Sequence, residues 1–120
     1  VNGCGEFKSG MSEARIEANE EVAQRLCNVY TKTFEVFKER NLRYPLSFKE
    51  LDDAGYLSPT DPYNRLILQS KPAQGYYYSY HSNDKDHFML VAKPSQQGIT
   101  GVNTFTVDPS GKVYITSSSE

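Results

Sequence analysis

The chain has 120 residues, 38% hydrophobic and 23% charged, the composition of one globular domain with a single core rather than of a disordered or collagen-like segment. Thirteen Lys and Arg against fifteen Asp and Glu leave a formal charge of −2, no field for a polyphosphate backbone, so nucleic acid is not an expected partner. The longest apolar run, Phe88 to Ala92, is far short of the roughly 20 residues a membrane helix requires, and no span is expected in this chain.

From Met11 to Asn41 there is no Gly or Pro, and apolar and polar residues separate when placed at about 100° per residue, which predicts a long helix over 11–41. Val22, Ala23, Leu26, Cys27, Val29, Tyr30, Phe34, Val36 and Phe37 fall in one half of the wheel, together with Thr33. Glu20, Glu21, Gln24, Arg25, Asn28, Thr31, Lys32, Glu35, Lys38 and Glu39 take the other. An arc this broad suits a helix lying across a sheet. Earlier in the helix the apolar residues thin out to Met11, Ala14, Ile16 and Ala18, so this end has little core of its own and is expected to project and meet a partner. Residues 1–10 read as an arm or linker.

Pro45 disfavours helical geometry at Tyr44 and ends the long helix. Ser47-Phe48-Lys49-Glu50 is a capping box for a short helix over 47–54, with Leu46 and Leu51 placed for a hydrophobic staple and Gly55 as its C′ residue. Pro59, Pro62 and Pro72 then predict a loop over 56–74 holding at most one short edge strand, at Leu66 to Leu68. Alternation predicts a β-meander over 75–116. Tyr76, Tyr78 and Tyr80 alternate with Tyr77, Ser79 and His81. After the polar turn Ser82 to Asp86, strands follow at 87–93, 102–107 and 112–116, the last two joined by Asp108-Pro109-Ser110-Gly111. Residues 118–120 are expected to fray. The expected fold is α+β: one long N-terminal helix packed on an antiparallel meander of about four strands, in a single domain over 11–117.

Few residues are available for chemistry. Two His, two Cys and no Trp argue against catalysis, and no catalytic, cofactor-binding or metal-ligating residue is assigned. His81 and His87 flank a turn with Asp84 and Asp86, which could in principle ligate a metal, but Lys85 between the carboxylates favours a solvated turn. Cys27 lies on the apolar arc, where a thiol is buried and inert. A bridge to Cys4 would need the first ten residues to fold back along the helix, at the limit of their reach: roughly 25 Å of extended chain against roughly 24 Å of helix. Alternatively, Val1-Asn2-Gly3-Cys4 is similar to the end of a lipoprotein signal whose Cys is acylated. The tyrosines read as strand formers rather than as a base-stacking platform, because 75–82 holds no Lys or Arg. Tyr77, pointing away from its neighbours, is expected as a subunit contact.

Taken in order, these segments resemble the globular heads of type IV pilins and of the related pseudopilins of type II secretion. Ser12 to Glu20 is similar to the segment where the tail of such proteins gives way to the head. Tyr44-Pro45 and the Leu51 to Leu57 turn follow. Gly75-Tyr76-Tyr77-Tyr78-Ser79-Tyr80, Phe88 to Pro94, Gly98-Ile99-Thr100-Gly101 and Phe105 to Tyr114 then match the strand pattern of pilin-like heads. The resemblance implies a structural, non-enzymatic subunit of an exported bacterial filament, extracellular or periplasmic, assembling through helix packing with other subunits or with a separate apolar-helix tail protein. Members of that family begin with a long apolar tail, whereas this sequence begins Val1-Asn2-Gly3-Cys4. A tail cut away, a split pilin with its tail on another chain, and a free or lipid-anchored head are the three readings. The rival function is an exported soluble or lipid-anchored binding module using Tyr77, His81 and the 83–86 turn.

Overall fold

Ala23, Leu26, Cys27, Tyr30, Phe34 and Phe37 recur at three- and four-residue intervals and are buried, the stripe along which the long helix meets the rest of the chain. The structure, a computed structural model, describes residues 2–117, with side chains from Glu13 onward. In chain order the elements are α1 (Asn2–Asn41), α2 (Phe48–Asp53), α3 (Pro62–Leu68), β1 (Tyr76–Asp84), β2 (His87–Pro94), β3 (Asn103–Val107) and β4 (Val113–Ser117). The strands form one antiparallel sheet in the order β1-β2-β3-β4, and α1 packs on β2 and β3. This is the expected α+β layout of a long helix on a four-stranded meander.

Several local expectations are corrected. The arm expected over 1–10 belongs to α1 from Asn2 onward. Single glycines cost a helix about 1 kcal/mol each without ending it. With α1 continuous, Cys4 and Cys27 stand roughly 35 Å apart along its axis, too far for a bridge, and Cys27 is a free, buried thiol. Val29 and Val36, expected in the core, are 49% and 42% exposed. Thr31, placed on the wet half of the wheel, is buried, its hydroxyl donating to the Cys27 carbonyl at 2.7 Å. The sheet covers an arc narrower than the apolar residues span.

At the C-terminus of α1, Leu42 sits at φ 63, the left-handed position that glycine usually takes, at a cost of about 1 kcal/mol. Ser47 caps α2 through the Glu50 amide at 3.1 Å, as the capping box predicts. The reciprocal half differs: the Glu50 carboxylate accepts from the Leu46 amide at 2.7 Å and holds Arg43 at 2.6 and 2.8 Å. Leu46 stays exposed while Leu51 is buried, so the staple does not close. The loop expected over 56–74 contains α3, whose start is Asp61 accepting from the Tyr63 amide at 2.9 Å with Pro62 in the first turn. A proline there is preorganised for a helix rather than a break in it.

The core is aromatic. Phe34 meets Phe48, Tyr80 and Phe88 edge-on or tilted, with centroids 4.6 to 5.8 Å apart, and Tyr30 meets Phe48 at 5.0 Å. Tyr76 and Tyr78 point into this core and Tyr77 away from it, the alternation the sequence predicts. The tail expected to fray at 118–120 lies outside the described residues.

Candidate interaction surface

The radius of gyration is 16.1 Å, against about 14 Å for a compact chain of this length. The long dimension is 60 Å, about the length of a 40-residue helix. The elongation therefore comes from α1 running beyond the sheet. A polar clamp marks where it leaves. Asn19 donates to the Thr100 carbonyl at 3.0 Å and accepts from Gln74 at 2.9 Å. One oxygen of the Glu20 carboxylate accepts the Val102 and Asn103 amides at 2.9 Å each, and the other faces the Asn103 side chain at 3.3 Å. Tyr76 completes the joint by donating to the Asn103 carbonyl at 2.6 Å.

Two glycines let these parts approach. Gly75 has φ +77, and a Cβ there would meet Asn19 Nδ2 at 2.6 Å and Thr100 Cβ at 2.9 Å. A Cβ on Gly101 would strike the Tyr76 ring and hydroxyl. The clamp joins residues about eighty positions apart, so helical spacing alone leaves Glu20 among the solvated charges. The one signal for it was the pair of glycines flanking the strand-poor links.

The residues expected to contact a partner do not share one face. At about 100° per residue Ile16 falls in line with Ala23, Cys27 and Phe34, on the sheet side, and it is half-buried. Ala14 and Ala18 are exposed and lie on the opposite side, within about 60° of Val29 and Val36. Met11 falls on that same stripe by spacing, but its side chain lies outside those described. The outward stripe is therefore Ala14, Ala18, Val29 and Val36, interrupted by Arg25 and Lys32, whose aliphatic stems extend it. Tyr77 is exposed on the far face of the sheet, opposite Lys93, a separate surface from α1.

At the β1–β2 turn the carboxylates are engaged. Asp84 lies 2.8 and 3.0 Å from His87 Nδ1 and accepts the Asp86 amide at 2.9 Å, while Asp86 pairs with Lys38 at 3.2 Å and Lys85 at 3.0 Å. His87 and the Lys85 and Lys38 ammonium groups hold the two acids below the usual carboxylate range. His81 stands opposite Met89, two residues beyond His87 on the same outward face. Among the described residues no group of three His, Cys, Asp or Glu is placed to hold a metal. Burial pushes the Cys27 thiol up to about 12, far from a nucleophile's range. No described helix is long and apolar enough to cross a membrane.

One family model matches the chain, over residues 50–117, and its description is "Protein of unknown function (DUF2950)". The match runs from within α2 to the end of β4 and leaves α1 outside. No curated protein and no solved structure matches.

Proposed function

The chain belongs to the DUF2950 family of proteins of unknown function, and we propose that it is the globular head of a type IV pilin-like filament subunit, exported by a bacterium and assembled through α1. One observation carries the reading: α1 is fastened to the sheet at Asn19 and Glu20 and continues beyond, bearing Ala14 and Ala18 in the open. A helix of that length outside its domain has no folding role. Small exposed residues let another helix approach closely, and the clamp fixes the direction in which it must come. The role is structural. The paired turn carboxylates and the inert Cys27 support a non-enzymatic subunit that needs no cofactor. Its partners are other subunits or a separate apolar-helix tail protein, with no part for nucleic acid.

The test is to shear surface filaments from the cells that encode the chain and probe them with antibody to the head. The head should co-purify with the filaments, and Ala18→Glu should remove it from them while leaving its melting temperature within about 2 °C of the parent. A head found only as a free exported protein would overturn the proposal and favour the binding module.

A further inference from the structure

The two edges of the sheet are built differently. At the β1 edge, Ala73 and Tyr76 exchange backbone hydrogen bonds at 2.9 and 3.2 Å, and the strand is irregular between His81 and Asp84. Both devices blunt an edge. The β4 edge has neither. β4 pairs with β3 in unbroken register from Val113 to Ser117, and among the described residues no hydrogen bond is found on its other side. Val113 to Thr116 is a run of strand formers, and the strand carries no charge and no proline.

Its faces are open too. Ile115 stands opposite Phe105 and shares the helix-side face, but α1 packs on β2 and β3 and leaves Ile115 56% exposed. Tyr114, on the far face, is 48% exposed. An open edge specifies the chemistry of its occupant, because a row of unpaired N–H and C=O groups is matched by another extended strand.

We propose that β4 pairs antiparallel with β4 of a second copy of this chain, about a two-fold axis at Ile115, joining two four-stranded sheets into one. The strand is self-complementary in this arrangement. Val113 falls opposite Ser117, Tyr114 opposite Thr116 and Ile115 opposite its own counterpart, so β-branched and aromatic residues meet and no like charges do. A net charge of −2 sets little repulsion between copies. The axis is normal to the sheet, so both α1 helices lie on one face and the two Ile115 side chains cover each other in the gap between them. Such pairing is isologous: it uses each β4 once and stops at two. A seam of five residues per copy is small for a stable interface, and the dimer is correspondingly weak. The surface is separate from the outward stripe of α1, so this inference stands or falls independently of the filament reading.

Sedimentation equilibrium of the full chain, from about 10 µM to about 1 mM, tests it. A reversible monomer–dimer equilibrium is expected, with Ile115→Lys weakening it at least tenfold, while Ala18→Glu leaves it unchanged. Because the Cα atoms of facing strand residues lie about 5 Å apart, within disulfide range, Ile115→Cys in a Cys4→Ser background should oxidise to a covalent dimer. A monomer throughout that range with no cross-link at position 115 would overturn the proposal, as would a dimer lost through Ala18→Glu and kept by Ile115→Lys.

Discussion

Three of the tyrosines that line or edge the core have their hydroxyls satisfied: Tyr30 donates to Asn64 at 2.6 Å, Tyr76 to the Asn103 carbonyl and Tyr80 to the Pro45 carbonyl, each also at 2.6 Å. The Tyr78 hydroxyl is buried without a partner among the described residues, and burial, aggravated by Cys27 and Tyr30, raises its pKa. An orphaned polar atom of this kind costs on the order of 1 kcal/mol. Tyr78→Phe should therefore raise the melting temperature by about 4 °C, whereas Tyr76→Phe, which removes the hydrogen bond to the Asn103 carbonyl, should lower it. Glu50 offers a pH test. Hydrogen bonds from Arg43, joined by the Leu46 amide, lower its pKa from 4.5 to about 2. A depressed carboxylate contributes stability that is complete above about pH 4.5 and is lost as the pH falls through about 2. The melting-temperature gap between the parent and Glu50→Gln should shrink over that window. A gap that stays constant from pH 7 to 2 would show that the pair contributes nothing through charge.

Among the elements, the joint between α1 and the links flanking the sheet is the most exacting. Gly101→Ala forces a methyl group into Tyr76 and should destabilise by about 2 kcal/mol in urea melts. Glu20→Ala, which leaves the Val102 and Asn103 amides without their acceptor, should cost about as much. Should either variant melt with the parent, the clamp does not hold the helix. Helix and strand periodicity made most elements legible, because α1 and the meander obey 3.6- and two-residue spacing over long runs. Three things escaped it. Val29 and Val36 are apolar but face outward, since a wheel reports residue type and not how wide the covering sheet is. α3 was hidden because Pro62 reads as a breaker until Asp61 is recognised as its cap. The clamp was illegible since Asn19 and Glu20 meet loops some eighty residues away. Of the proposed contact residues, Ala14 and Ala18 are exposed, while Ile16 is half-buried and continues the sheet-side line, because a wheel position does not reveal how far the sheet extends along the helix.

For the molecule as a whole, one long helix serves two purposes: its later half is the spine of the core, and its earlier half reaches beyond the sheet and draws the molecule out to 60 Å. The central claim is that the outward stripe of α1 is where assembly occurs. In-cell photocross-linking addresses it most directly, with p-benzoylphenylalanine placed at Ala18 and, as a control, at Met89 on the exposed far face of the sheet. The account predicts that position 18 cross-links to another filament subunit or to a small apolar-helix protein, and that position 89 does not yield that product. Cross-linking from position 89 alone, with position 18 silent, would contradict it.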